Sequence, residues 1–327
     1  MAARRSAAPA WLSRGLDCVL AGIGLGLVFS LQPPAEARKA RAQPSPREQA
    51  LAPLLRNGSL DQLAQVCVQL VEEGDVRLLQ RVQARLLTLK PAPQLLPVVL
   101  ANADVLLRCG APQAALKALE RYGPAPGVER NQWLLLRWQA AHAGLDHRVA
   151  AEALRDLAAA QLAGLETLLL PVRRNGDGTV NSRPALDLLA SYLESMGQLR
   201  AAAEVLLASR APGEATARRI AQAVALMRQL PLPEQVRLLE AALDQAAAAG
   251  SWGLVTDLLD QQLALPETPE TAAARARAAE RRIRLSRRID DAYGAWRVQP
   301  TAELERQLRS PRAPGGHAAP STPASHP

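Results

Sequence analysis

The chain has 327 residues, 48% of them hydrophobic but only 3% aromatic, and a net charge of +8. Alanine and leucine dominate, a mixture that favours helix because these side chains lose little rotamer freedom there. It suits many small contacts between neighbouring helices better than one large aromatic core. The charge sits at the ends: residues 1–37 carry +1, 38–50 carry +3 and 272–312 carry +6, leaving −2 for the remainder. That distribution argues against a uniformly basic nucleic-acid-binding surface.

In chain order, Arg4, Arg5 and Arg14 precede an uncharged, apolar stretch of 13 residues, 19–31. A spanning helix needs about 20 residues, so the stretch is too short to be one. Pro33 and Pro34 then lead into Ala35-Glu36-Ala37, the small-x-small pattern read by signal peptidases. The expectation is a signal peptide over 1–37, cleaved after Ala37, and an exported, periplasmic or otherwise extracytoplasmic chain. An uncleaved N-terminal membrane anchor is the alternative. Cys18 precedes the apolar stretch and follows Asp17, so it does not fit a lipoprotein cysteine. Cleavage leaves Cys67 and Cys109. Both lie in apolar helical patterns, where a free cysteine behaves as a small hydrophobe, although export also permits a bond between them.

Residues 38–53, rich in Arg, Ala, Gln and Pro, read as a flexible linker. Residues 54–265 form a succession of helix-period segments. Gly74, Gly110 and Gly144 fall 36 and 34 residues apart, each between two amphipathic runs. The first copy places Leu63, Val66, Cys67 and Leu70 before Gly74 and Val76. The second places Val99, Ala103 and Leu106 before Gly110, then Ala115 and Leu119. Trp133, Leu136 and Ala140 precede Gly144, with Arg137 where a small residue is expected. The clearest copy runs Leu186, Leu189, Ala190, Leu193, Gly197, Leu199, Ala202 and Leu206. Leu239, Ala242, Ala246, Gly250, Trp252, Val255 and Leu259 make a looser fifth. This arrangement resembles the tetratricopeptide (TPR) repeat, in which small residues let helices approach, Gly closes the hairpin and large residues fill the groove. The resemblance implies an all-α, right-handed solenoid of helical hairpins; other hairpin arrays share much of the pattern. The spacing lengthens to 53 residues from Gly144 to Gly197 and again to Gly250, so an irregular middle is expected.

Within the first of those gaps, Arg173-Arg174-Asn175-Gly176-Asp177-Gly178-Thr179-Val180-Asn181-Ser182-Arg183-Pro184 resembles the calcium loop of EF-hands, and of dockerin modules in particular. Such loops place oxygen ligands at alternate positions around a hard cation. Here Arg173 replaces the first acidic ligand and Pro184 the closing carboxylate, so the segment is expected to be a tight turn between helices without calcium. His142 and His147 flank Gly144, and no HExxH or Cys/His cluster accompanies them, which gives no metal site.

Residues 266–297 read as a basic capping helix opened by Pro269 and Glu270. Its arginines include Arg281, Arg282, Arg284, Arg287 and Arg288, a candidate surface for an anionic partner. Leu285, Ile289, Ala292 and Trp296 would give it one apolar face. Residues 298–327, rich in Pro, Gly, Ser and Thr, are expected to be a disordered tail. No nucleophile–base motif or phosphate loop stands out. The sequence therefore reads as a scaffold for a protein partner on the concave face of the array, needing no cofactor or small-molecule substrate. The alternative function is an electrostatic adaptor to an anionic membrane or polyanion through the Arg-rich helix.

Overall fold

The computed structural model describes residues 45–89 and 94–309. Among them the chain forms fifteen α-helices and two short strands, so the architecture is all-helical apart from one hairpin. The signal segment with Ala35 and Ala37 lies outside the described residues.

α1 (Pro46–Asn57) occupies part of the expected linker. Its buried Glu48 pairs with Arg77 and Arg81 of α3, each at 2.8 Å, and Leu51, Leu54 and Leu55 pack on the core. Residues 46–53 of the expected linker are therefore part of a packed helix.

The hairpins that follow are α2 (Leu60–Glu73) with α3 (Val76–Thr88), α4 (Leu96–Arg108) with α5 (Pro112–Leu119), and α6 (Val128–Ala143) with α7 (His147–Ala158). Ser59 and Gln62 close a capping box at the start of α2. Gly74 ends that helix at φ +71°, in the left-handed region an L side chain avoids. Asp75 then caps α3 by accepting from Leu78 N at 3.1 Å, and Asp146 caps α7 in the same way through Val149 N. At the third hairpin the left-handed residue is Leu145, not Gly144. Gly144 packs closely instead: a Cβ there would come within 3.0 Å of the Gln113 side chain of α5, which would have to give slightly.

The first long gap holds a 3-10 turn (Leu162–Glu166) and strands β1 (Leu169–Arg174) and β2 (Val180–Pro184), paired antiparallel. The expected turn between helices is thus a β-hairpin. α8 (Ala185–Ser195) and α9 (Leu199–Leu207) follow, with Leu189, Ala190, Leu193, Ala202 and Leu206 all buried and Gly197 left-handed between them. The second gap is filled by α10 (Glu214–Leu226), followed by α11 (Leu232–Ala248) and α12 (Trp252–Leu263).

The expected C-terminal helix is two helices. α13 (Pro269–Arg288) stops at Ile289, Asp290 turns left-handed, and α14 (Ala292–Val298) starts under the Asp291 cap. Leu285 and Ala292 are buried, but Ile289 is exposed, because it lies at the break. α15 (Ala302–Arg309) occupies the first part of the expected tail, so that part is not disordered; residues 310–327 lie outside the described ones.

Every major helix–helix interface joins sequence neighbours or next-but-one neighbours, such as α2 with α4 and α4 with α6. The core forms two clusters. One runs from Leu63 of α2 to Leu206 of α9 and takes in Ala223 and Met227; the other runs from Ala217 of α10 to Leu285 of α13. Cys67 and Cys109 are buried and joined by a disulfide, which sets aside the free-thiol reading and ties α2 to the end of α4.

Candidate functional site

Apolar seams between helices become binding surfaces where they stay open and carry a few polar groups. Among the described residues, the α4–α6 seam and the α11–α12–α13 seam are two such places. The first is a shallow groove of about 470 Å³ between α4 and α6, the first helices of adjoining hairpins. Leu100, Leu135 and Leu136 give it apolar walls, and Asp104, Gln132 and Gln139 place polar groups along it.

The second is a cleft of about 400 Å³ between α11, α12 and α13. Buried Leu243, Val255, Leu259 and Leu285 form its base. Trp252 stands at the start of α12 with 43% of its surface exposed, although the repeat pattern assigns it to packing. Arg281, Arg284 and Arg288 recur at i, i+3 and i+7 on α13, which brings them to one side of the cleft. Asp244 is the carboxylate in the lining.

The five candidate arginines therefore divide. Arg281 donates to Glu240 of α11 at 2.6 Å. Burial acts to raise the Glu240 pKa, but hydrogen bonds from Arg281 and Arg277 outweigh it and hold the carboxyl below its ordinary value. Arg282 is not a surface residue. Its side chain is 5% exposed and pairs with Asp260 of α12 and Asp291 before α14, each at 3.2 Å, while also donating to Ser286. A buried guanidinium needs that many acceptors, so Arg282 holds three helices together and is withdrawn from the anionic-partner surface. Arg284 lies 3.8 Å from exposed Glu280. Arg287 is exposed. The Arg288 guanidinium lies 5.5 Å from the centre of the Trp252 ring, a cation–π arrangement that keeps its charge outward.

A larger groove of about 590 Å³ runs beside α14, but its charges serve one another. Arg275 meets Glu267 at 3.6 Å, and Arg297 meets Asp260 at 3.7 Å. Arg219 of α10 plays a structural part like that of Arg282, joining Glu166 and Asp187. Burial pushes the Glu166 pKa up, yet hydrogen bonds from Ser209 and the Arg210 and Ala211 amides, with the Arg219 charge, bring it below 4.5.

In the calcium-like loop, the carboxylate of Asp177 accepts from the amide and the hydroxyl of Thr179, at 2.9 and 2.7 Å. Those bonds lower its pKa and spend the loop's one carboxylate on closing a β-turn. His142 stacks on Trp138, and its Nδ1 lies 2.9 Å from the Tyr192 hydroxyl, which accepts from the Trp138 indole. His142 thus belongs to an aromatic packing network, and His147 joins it edge-on to Tyr192 with ring centres 5.6 Å apart. Among the described residues, no group of three His, Cys, Asp or Glu side chains could hold a metal ion, and no helix is long and apolar enough to cross a membrane.

Compared with known proteins, the chain matches no family model, no curated protein and no solved structure.

Proposed function

We propose that the chain is an exported, TPR-like helical-hairpin solenoid of right-handed twist that acts as a scaffold, holding a protein partner on the concave face lined by the first helices of its hairpins. The observation that carries this reading is the open groove between α4 and α6, where Leu100 of α4 faces Leu135 and Leu136 of α6 and Gln132 and Gln139 of α6 and Asp104 of α4 supply polar groups. Such a surface buries apolar side chains of a partner while its amides take backbone hydrogen bonds. The Cys67–Cys109 bond supports export, since disulfides persist in oxidising compartments.

The electrostatic-adaptor reading now rests on fewer charges than the sequence offers. Arg284, Arg287 and Arg288 face outward, while Arg281 and Arg282 pair with carboxylates of the neighbouring helices.

A photo-cross-linking residue at Gln139 in the chain from residue 38 onward tests the scaffold reading in an envelope extract. One protein should be captured there, and the capture should persist as ionic strength rises, because apolar contacts are not screened. No adduct at Gln139, or capture that collapses with salt, would overturn it.

A further inference from the structure

We propose that the cleft between α11, α12 and α13 docks an acidic amphipathic helix of a protein partner. It shares no residue with the α4–α6 groove, so this second site goes beyond the scaffold reading.

Charge identifies the occupant. Three guanidinium groups line the cleft against one carboxylate, Asp244. Arg281 is tied to Glu240, which it shares with Arg277, whereas Arg288 and Arg284, the latter only 3.8 Å from the exposed Glu280, lie at the solvent edge. These two stand one helical turn apart, about 6 Å along the axis. A partner helix with carboxylates at i and i+4 presents its charges at the same interval. Bidentate pairing with guanidinium would fix its register.

Shape decides between a helix and a lipid surface. The leucines and Val255 are recessed, each less than a tenth exposed. A flat bilayer cannot reach them, since membrane-surface helices insert a protruding apolar face. A ridge of side chains from a helix can, which is the helix-in-groove mode of recognition. Trp252 offers a broad rigid wall at one end, and Arg288, already parked over that ring, turns from the indole to a carboxylate without crossing the cleft.

The probe is a labelled synthetic helical peptide with leucines on one face and two glutamates one turn apart beside them. A companion carries glutamine in place of both glutamates. Fluorescence anisotropy with the chain from residue 38 onward reads the binding. The glutamate peptide should bind, and the companion about tenfold more weakly, the size of two rim ion pairs. The double variant Arg284→Gln/Arg288→Gln should lose the same factor for the glutamate peptide alone, with its melting temperature unchanged because both side chains are exposed. Trp252→Ser should weaken both peptides alike. Equal binding of the two peptides, no binding of either, or full affinity in the double variant would each overturn the proposal. Sedimentation with phosphatidylglycerol vesicles that the double variant abolishes, without peptide binding, would assign the arginines to a membrane instead. Cross-linking at Gln139 should be untouched by the double variant, so the two readings fail separately.

Discussion

Arg282 and Arg284 lie two positions apart on α13, and helical geometry turns them about 200° from each other. That rotation, invisible in a count of arginines, sends one into the interior and leaves the other in solvent. Arg282→Gln would remove the guanidinium shared by Asp260 and Asp291, leaving Asp260 the longer contact with Arg297 and Asp291 the Gly294 amide. Removing one partner of a buried pair costs about 3–5 kcal/mol, and since both carboxylates remain about a third exposed, the lower end applies. Arg284→Gln should move stability by no more than about 0.5 kcal/mol. Urea melts of the two variants make the comparison; equal midpoints would mean that Arg282 holds nothing. Gly294 belongs to the same arrangement, because a Cβ there would collide with the Arg282 guanidinium and the Asp291 carboxylate.

At the scale of elements, the repeat positions were the most legible part of the chain. Large residues at i, i+3 and i+7 before a glycine mark helices that bury one stripe, and Leu189, Leu193 and Leu206 are buried accordingly. What the pattern could not rank is which large residue stays out. Val76, Leu199 and Trp252 open second helices, where the first turn has fewer neighbours, and all three are exposed. The β-hairpin was readable in Asn175-Gly176-Asp177-Gly178, a strong turn signal. It was obscured because its strands carry arginines and prolines instead of alternating apolar residues. The candidate cleft was half legible: periodicity put the arginines on one helix, but only tertiary packing brings Trp252 and Asp244 to them. Close approach at Ala202, which is fully buried, gives an element-scale prediction. Ala202→Leu should overpack and cost about 1–3 kcal/mol. Leu206→Ala should leave a cavity and cost about 2–5 kcal/mol. Thermal melts check both; two wild-type curves would mean that α8 and α9 do not pack as described.

On the scale of the whole molecule, contacts stay between near neighbours, so few interactions join distant parts of the chain. The disulfide spans 42 residues and is the one covalent tie among the described residues. Loop closure of that size is worth about 2–4 kcal/mol, chiefly through the unfolded state. Replacing both cysteines with alanine should lower the melting temperature, and a reductant should shift the unsubstituted chain by a similar amount while leaving the variant where it is. An unsubstituted chain indifferent to reductant would show that the bond is not formed in solution.

Such near-neighbour wiring has a consequence for how the molecule comes apart. In a one-dimensional array, stability is a sum of unit and interface terms, and a terminal unit, with one neighbour instead of two, opens first. Two fasteners lie near the ends of the described array: the disulfide binds the second helix to the fourth, and Arg282 gathers the twelfth, thirteenth and fourteenth, while Arg219 does the same work in the middle. Fraying from either end must break a covalent bond or a buried ion cluster before it reaches the interior. Hydrogen exchange in the middle of the array is thereby tied to global unfolding, and partial unravelling, which would expose apolar helix faces to proteases, is suppressed where it would otherwise begin.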